Sequence, residues 1–429
     1  MSGGRLQIGA ALAHRNYRLF FSGQSVSLVG TWITRVATSW LVYRLTGSAF
    51  LLGVVGFCGQ IPTLVLTPFT GVLVDRWDRH RILVYTQVLS MLQSLALAVL
   101  ALTGVITVVH VLLLQLAQGM INAFDTPARQ SFVVQMVTDR RDLPNAIALN
   151  SSMVNASRII GPSIGGLLIA AFGEGWCFLI DAISYLAVIA SLFAMRVESR
   201  PAAGVKARML DEMRDGFRYV SGSWPIRSTL LLLALIATMG MPYSVLMPAV
   251  AKQVLHGGAH TLGFLMAASG LGALGGALFL ASRNSVLGLD RAIAISASVF
   301  GVSLVLFSLS NVMWLSLLLL VLVGAGMMVG MASTNTILQT IVEERLRGRV
   351  MAFYTMAFLG TSPLGSLLAG AVASRIGVQA TILLGGILCL AGGAWFWSRL
   401  STFRRFVLPI YEARGVVMTD EAPPEPAGA

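Results

Sequence analysis

The sequence predicts an all-α polytopic membrane protein with the spans arranged in two similar halves. Hydrophobic residues make up 56% of the 429 residues and charged residues only 11%, and the mean hydropathy is +0.79. Soluble domains carry roughly a quarter charged residues, so a soluble fold is excluded. Long apolar runs without polar–apolar alternation favour helices over a β-barrel, because each helix satisfies its own backbone hydrogen bonds in lipid.

Twelve charge-poor stretches are long enough to cross a bilayer, which takes about 20 helical residues for roughly 30 Å of hydrocarbon. We expect these spans at 17–43, 50–74, 82–104, 106–126, 145–172, 175–196, 227–250, 260–282, 291–309, 312–335, 350–373 and 378–399. The first span follows a short basic stretch and leads into a series of spans, which favours a retained helix over a cleaved signal peptide.

The positive charges are distributed unevenly along the chain, and their distribution predicts the topology. With the N-terminus in the cytoplasm, 25 of the 30 Lys and Arg face the cytoplasm and three face outward. The remaining two, Arg35 and Arg158, lie within spans. We therefore expect both termini in the cytoplasm. The net charge of +12 then reflects topology and contact with anionic lipids rather than nucleic-acid binding.

A long polar segment divides the spans six and six. The predicted units are an N-terminal six-helix bundle at 1–196, a cytoplasmic linker at 197–226, a C-terminal six-helix bundle at 227–400 and a cytoplasmic tail at 401–429. Apolar residues at helical spacing in the linker predict an amphipathic helix at the membrane surface, with a solvated connector as the alternative. The composition of the tail is typical of disorder.

The two halves resemble each other in sequence at a shift of 204 residues. The shift superposes Gln135 on Gln339, Asp139 on Glu343, Arg141 on Arg345, Gly161 on Gly365, Gly166 on Gly370 and Gly173 on Gly377. Parallel repeats of six spans are typical of secondary transporters, in which the substrate site lies between halves that rock about it.

The loop between the second and third spans combines a glycine, a carboxylate and several cations. Its pattern resembles the loop 2/3 signature of the major facilitator superfamily, G-x-x-x-D-R-x-G-R-[RK], with Asp78 in place of the second glycine. The resemblance implies that Asp75 braces the cytoplasmic ends of the two halves in the outward-open state. We call this predicted conformational gate the gate loop; its residues are Gly71, Asp75, Arg76, Arg79 and Arg81.

The fifth span resembles the G-P-x-x-G-G core of a motif found in antiporters of the same superfamily. Glycines permit close helix contact and proline permits a kink; a packing role alone is the alternative. Ser157 stands where that motif has a further glycine. The predicted helix-bending residues are Gly161, Pro162, Gly165, Gly166 and, in the eleventh span, Pro363.

The fourth span matches the superfamily pattern R-x-x-Q-G except that Gln115 replaces the arginine, which in proton antiporters is linked to proton handling. The segments GTWITRVATSWLVYRLTGS, FDTPARQ and LRGRVMAFY extend the resemblance over nearly the whole chain. Together they are similar to the bacterial exporters that include enterobactin, macrolide and multidrug efflux proteins. The resemblance implies medium-sized, often amphipathic substrates and a location in the bacterial cytoplasmic (inner) membrane.

Polar residues within spans indicate a central cavity, because they are unfavourable in lipid and normally face water or another helix. In the first and fifth spans they recur every three or four residues and so share a helix face. Single hydroxyl groups can instead be interhelical hydrogen-bonding groups. The predicted cavity residues are Gln24, Thr31, Arg35 and Thr38 in the first span and Asn150, Asn155 and Arg158 in the fifth.

Two acidic residues lie within the predicted hydrocarbon region and are candidates for proton coupling: Asp181 and Asp125. A carboxylate that alternates between burial and contact with an arginine can bind and release a proton. Arg158 or Arg35 would be the partner of Asp181, which could instead neutralise an arginine permanently. Asp125 precedes Arg129 by four residues, and we favour a structural ion pair there.

The sequence thus predicts a secondary active transporter that exports amphipathic small molecules, such as a drug, siderophore or secondary metabolite, by alternating access and proton-coupled antiport. An importer or lysolipid flippase of the same fold is the alternative; an intramembrane enzyme or a non-transporting receptor is a second one. We expect no cofactor and no metal, because no histidine has zinc-like spacing and no phosphate-binding loop occurs. The expected partners of this monomer are its substrate, protons and membrane lipids.

Overall fold

The computed structural model describes residues 9–196, 209–283 and 285–413. Fourteen helices run through this part of the chain: α1 (Arg15–Thr46), α2 (Ala49–Arg76), α3 (Arg79–Leu102), α4 (Val108–Met136), α5 (Leu143–Phe172), α6 (Glu174–Ala194), α7 (Met209–Gly222), α8 (Trp224–Val254), α9 (Ala259–Ala281), α10 (Leu289–Leu309), α11 (Met313–Ile341), α12 (Glu344–Ile376), α13 (Val378–Ser398) and α14 (Leu400–Ala413). The side chains at Gly71 and Asp75, linker residues 197–208 and tail residues 414–429 lie outside the described part.

Twelve of these helices form the membrane bundle. Among the described residues, eleven helices are long and apolar enough to cross a membrane: α2 to α6 and α8 to α13. Helix α1 is 32 residues long and is the twelfth. Its hydropathy is lower than that of the other spans because it contains Gln24, Arg35 and several Ser and Thr residues. Such polar side chains normally face the inside of a helix bundle rather than lipid. The predicted all-α fold with twelve spans is confirmed.

Loops of one to seven residues join successive spans within each half, so neighbouring spans are antiparallel. We call the end at which α1 begins and α13 ends the basic end, since most of the Lys and Arg flank it. The other end of the bundle is the opposite end. Among the described side chains there, Arg44 forms a two-pronged pair with Glu174, with Nε–Oε1 at 2.7 Å and Nη2–Oε2 at 3.2 Å. This pair ties α1 to α6.

The internal repeat extends from the sequence to the backbone geometry. Gly173 precedes α6 with φ 85° and ψ 173°, and Gly377 precedes α13 with φ 87° and ψ 162°. Positive φ with extended ψ is a conformation that glycine adopts far more readily than other residues. The same tight turn therefore connects the fifth span to the sixth in each half.

The two halves contact each other mainly through two pairs of helices, α2 with α12 and α5 with α9. Glycines face each other at both crossings. A Cβ atom added to Gly53 would lie 2.9 Å from the Cα of Gly370, and one added to Gly166 would lie 3.0 Å from the Cα of Gly263. Both crossings lie toward the opposite end, because Gly53 and Gly263 are near the start of α2 and α9. These two glycine crossings hold the halves together there.

Helices α8 and α12 contain π-helical turns just before prolines. One π segment is Ile236–Gly240, ahead of Pro242, and the Met241 amide donates to the Ile236 carbonyl at 2.9 Å. The other is Met356–Gly360, ahead of Pro363. Proline has no N–H to continue the α-helical hydrogen-bond pattern. A π turn, in which the hydrogen bond spans five residues instead of four, adds one residue to the helix turn ahead of the proline. Pro363 thus follows an irregular segment of α12, whereas Pro162 lies inside a continuous α5.

Two amphipathic helices lie along the C-terminal half at the basic end. The predicted linker helix corresponds to α7, where Asp215 pairs with Arg349 at 3.2 Å. The tail was expected to be disordered, but α14 covers Leu400–Ala413. Phe403 and Val407 of α14 are buried, and Arg404 pairs with Asp290 of α10 at 2.5 Å. Apolar residues four positions apart thus dock the first part of the tail on the bundle.

The glycine crossings lead to a prediction about closure at the opposite end. In Gly263→Ala the new methyl group would lie 2.5 Å from the Pro162 carbonyl oxygen. We therefore expect the arrangement that is closed at the opposite end to be destabilised by about 1–3 kcal/mol, as for other overpacked contacts. Spin-label distances across the opposite end and thermal unfolding in detergent would measure the effect.

The matched control lies in the same helix. Gly275→Ala places its methyl group in open space and should change stability by less than about 0.5 kcal/mol. If the two variants show the same label distances and the same melting temperature, the glycine crossing does not control closure.

Candidate functional site

Two arginines from different helices approach one tryptophan near the middle of the bundle. The guanidinium carbon of Arg35 lies 4.6 Å from the centroid of the Trp32 ring. The corresponding distance for Arg158 is 5.9 Å. We call these three residues the Trp–Arg cluster. The structure thus brings together the two arginines that the sequence singled out. Trp32 was missed, although its position three residues before Arg35 places both on one helix face.

The glycines of α5 explain why the cluster forms. A Cβ atom on Gly161 would overlap the Cβ of Trp32, and one on Gly165 would lie 3.2 Å from the Cα of Ile33. Both glycines therefore let α5 lie directly against α1. Gly166, on an adjacent face, instead faces α9 across the boundary between the halves.

Arg158 lies at the boundary between the halves. Pro162 follows it by four residues and has no N–H, so the Arg158 carbonyl lacks its usual helical hydrogen bond. A Cβ atom on Gly270 of α9 would lie only 3.0 Å from that carbonyl oxygen. The backbone of α5 at Arg158 is therefore packed against the C-terminal half, and the cluster is next to the surface along which the halves would move.

Neither arginine of the cluster has a protein partner for its charge. Within the described ranges, neither Arg35 nor Arg158 forms an ion pair or donates a hydrogen bond. Arg35 is exposed and Arg158 is partly exposed, although both belong to membrane-spanning helices. Each guanidinium carries five N–H donors. The site therefore presents two positive charges and many free donors to a water-accessible space.

The other predicted cavity residues divide into accessible and buried groups. Asn150 and Asn155 are partly exposed and Thr31 is exposed. Gln24 and Thr38 are each 3% exposed and so lie inside the bundle. Thr38 accepts a hydrogen bond from Gln115 Nε2 at 3.4 Å, which places Gln115, at the position of the family's arginine, next to α1.

Asp181 lies between α1, α3 and α6 rather than beside the arginines. It is 1% exposed, and Ser94 Oγ donates to its Oδ2 at 2.7 Å. A Cβ atom on Gly30 would lie 2.7 Å from Oδ1, so this face of α1 covers the carboxylate. Oδ1 has no hydrogen-bond partner among the described residues. The predicted pairing with Arg35 or Arg158 does not occur in the described part of this structure.

Asp125 has several partners within the N-terminal half. Arg129 Nε lies 3.6 Å from its Oδ2. Its Oδ1 accepts hydrogen bonds from Thr86 Oγ1 at 3.0 Å and Gln87 Nε2 at 2.8 Å. The carboxylate, 6% exposed, thus joins α4 to α3, as a structural ion pair would.

A row of buried polar residues on α3 connects the surroundings of the two acids. We call it the α3 polar row; its residues are Thr86, Gln87, Ser90, Gln93 and Ser94. Sequence analysis missed the row, although the three- and four-residue spacing on a span of high hydropathy was a readable signal. Gln118 Nε2 also donates to Ser90 Oγ at 3.2 Å. The row therefore forms a polar stripe on α3 between the two acids, inside an apolar bundle.

The gate loop is shaped by Asp78, the residue that replaces a glycine of the family pattern. Asp78 is the N-cap of α3, and its Oδ1 accepts from the amides of His80 at 2.9 Å and Arg81 at 3.3 Å. Arg81 Nε lies 3.6 Å from its Oδ2. His80 Nε2 lies 2.9 Å from the Leu192 carbonyl of α6. The start of α3 is thus fixed in place, and Arg76 and Arg81 are exposed.

Comparison with known proteins gives the family. The family model described as "Transmembrane secretion effector" matches residues 8–420. The chain belongs to this family of the major facilitator superfamily. As a family member it is a multi-pass membrane protein and a secondary transporter of small molecules, not an enzyme. In the described ranges no group of three or more His, Cys, Asp or Glu is placed to hold a metal ion.

Curated relatives of this transmembrane secretion effector cover most of the chain. A staphyloferrin A transporter of Staphylococcus aureus is 26% identical over 89% of this chain and 96% of the relative. The multidrug efflux pump Tap of Mycolicibacterium fortuitum is 30% identical over 82% of this chain and 88% of the relative. The enterobactin exporter EntS of Shigella boydii is 26% identical over 94% and 95% of the two chains.

Solved structures support the same fold. A bacterial homologue of the human lysosomal transporter Spinster, inward-facing and unoccupied, aligns with a TM-score of 0.67 at 14% identity, covering 94% of this chain and 99% of that one. A mutant of the nucleoside transporter NupG aligns with a TM-score of 0.68 at 16% identity, covering 90% and 99%. At these identities the likeness concerns the fold.

The cap at the gate loop leads to a prediction about stability. Asp78→Ala removes the side-chain acceptor for the first amides of α3, so we expect a loss of about 1 kcal/mol in the free energy of unfolding. Asp78→Asn keeps an acceptor oxygen and should stay close to the wild type. Thermal unfolding in detergent distinguishes the two variants, and equal losses would show that the charge, not the cap, stabilises this loop.

Proposed function

We propose that this transporter exports amphipathic small molecules across the bacterial inner membrane by alternating access and proton-coupled antiport. The observation that carries the proposal is the accessible Trp–Arg cluster in the middle of membrane-spanning helices and beside the boundary between the halves. A substrate bound there would contact both halves, so that its release can follow their movement. The export direction is supported by relatives that are named as exporters or efflux pumps.

The proposed cycle starts from the arrangement of the halves in this structure. The glycine crossings join the halves at the opposite end, while polar side chains nearer the basic end, such as Ser151 and Gln339, remain exposed. If the basic end faces the cytoplasm, as the charge distribution favours, the cavity here is accessible from the cytoplasm. The outward-open state would then separate the glycine crossings and bring the gate loop, with Asp75, against the other half.

Asp181 is the proposed proton carrier. Its unsatisfied Oδ1 is buried beside α1, and a proton there would remove an uncompensated charge from a low-dielectric site. The α3 polar row would provide a polar environment between Asp181 and Asp125, in the direction of the basic end. Since Gln115 occupies the position of the family's usual arginine, this route would replace the arginine-dependent one. Asp125 is the less favoured carrier, because Arg129 and two donors from α3 already satisfy it.

A pair of substitutions tests the proton carrier. Asp181→Asn should lower substrate accumulation driven by a pH gradient by about tenfold or more, because an amide cannot bind and release the proton. The variant should still exchange labelled for unlabelled substrate, since exchange needs no net proton movement. Asp125→Asn should lower the melting temperature but preserve gradient-driven accumulation. Both are measured in inside-out vesicles. The reverse result would assign the proton to Asp125, and wild-type accumulation in both variants would reject coupling through either acid.

Transport direction is tested separately. Susceptibility and efflux profiling of a deletion strain against a diverse compound panel, with and without a protonophore, should reveal compounds that accumulate in the deletion strain and whose efflux the protonophore stops. In reconstituted or native vesicles, uptake of these compounds is expected in the inside-out orientation. Accumulation only in right-side-out vesicles, or movement of lysolipid between leaflets, would instead support the importer or flippase of the same fold.

A further inference from the structure

We propose that the Trp–Arg cluster is a binding site for planar organic anions, in which a carboxylate or sulfonate is joined to an aromatic or conjugated ring. This inference rests on the proposed function in one respect, since the cavity must be the transport cavity for the anion to be a substrate. As a binding site it stands on the geometry and charge of Trp32, Arg35 and Arg158.

The charge balance around the cluster favours an anion. Positive charge inside a membrane helix bundle is unfavourable unless it is hydrated or paired, and two guanidinium groups here approach a single ring. None of the three described acids on the neighbouring helices pairs with the cluster. Asp181 is buried behind α1, Glu174 pairs with Arg44 at the opposite end and Asp125 pairs with Arg129. A bound anion would supply the missing negative charge.

The shape of the donors favours a planar, delocalised anion over a compact one. A guanidinium presents its N–H groups in a rigid fork that matches the two oxygens of a carboxylate. Because Arg35 lies over the Trp32 ring at 4.6 Å, the ring restricts the orientation of that fork. The exposed face of a guanidinium plane also stacks on aromatic groups. The acidic group and the ring of one ligand can therefore be recognised together.

The same features disfavour cations. A cationic amphiphile would be repelled by both arginines and would need a carboxylate facing the cavity. Among the described side chains of the spans, the two carboxylates in the predicted hydrocarbon region, Asp125 and Asp181, lie within the N-terminal bundle rather than on the accessible surface. Selectivity by charge sign therefore follows from the cluster itself, whichever ion drives transport.

The test compares three probes that share the naphthalene ring system and differ in charge: 2-naphthalenesulfonate, 2-naphthamide and 2-naphthyltrimethylammonium. Binding to the full-length protein in lipid nanodiscs, without any ion gradient, is measured by calorimetry. We expect the sulfonate to bind at least about tenfold more tightly than the other two, as charge-assisted hydrogen bonds allow, and its affinity to fall as ionic strength rises.

Variants assign the effect to the cluster. Arg35→Gln and Arg158→Gln should each weaken sulfonate binding about tenfold with little change for the amide. Arg35→Lys and Arg158→Lys, which keep the charge but lose the fork, should give intermediate affinities and guard against misfolding as the cause. Trp32→Leu should weaken all three probes. Arg375→Gln, an exposed cation at the opposite end, is the matched control and should bind like the wild type.

The outcomes separate this inference from the proposed function. Equal binding of the three probes, no detectable sulfonate binding, or unchanged sulfonate affinity in both glutamine variants would overturn the anion site. If the anion site were overturned in this way but the protein still exported another compound normally, the proposed transport function would stand without the anion site. If the sulfonate binds as expected but neither it nor any compound of the efflux panel is moved in vesicles under a pH gradient, the anion site stands and the proposed proton-coupled export fails.

Discussion

A charged side chain inside a lipid bilayer must find an opposite charge, a hydrogen-bond donor or acceptor, or water. Among the described charged residues of the N-terminal spans this constraint is met in two ways, while one oxygen of the buried Asp181 has no partner there. Asp125 with Arg129, and Glu174 with Arg44, form ion pairs within the N-terminal half. Arg35 and Arg158 instead remain accessible without protein partners. Because the same half contains both solutions, the unpaired arginines are the residues at which the proposed cavity would admit water or a ligand.

Close helix packing around the Trp–Arg cluster depends on α5. Gly161 and Gly165 let α5 contact α1, whereas Gly166 lets it contact α9 in the other half. Successive helix positions are about 100° apart, so adjacent glycines can serve two different neighbours. The motif therefore does more than permit a kink: one helix both builds the Trp–Arg cluster and forms part of the crossing that closes the opposite end. A change in the angle of α5 would alter both contacts together.

The sequence was informative about the features that the lipid bilayer constrains, namely the length of the spans and the placement of charged residues. Hydropathy and the distribution of cations predicted the twelve spans, and the rarity of charge within them singled out Arg35 and Arg158. Helix rotation could not be read in the same way. Gly30, which covers Asp181, and Arg35 are five positions apart, or about 140° around α1, so the acid and the arginine face different neighbours. The docking of α14 was missed because the composition of the whole tail obscured the four-residue spacing of Phe403 and Val407.

The position of the cluster also suggests how occupancy could influence movement of the halves. Two like charges on α1 and α5 repel each other, and a bound anion would reduce that repulsion. Since the Arg158 carbonyl is packed against Gly270 of α9, a small shift of α5 at this level reaches the other half directly. Only a ligand that interacts differently with the two arrangements can shift the equilibrium between them. An anion shared by Arg35 and Arg158 meets this condition if the distance between the two arginines changes when the glycine crossings separate.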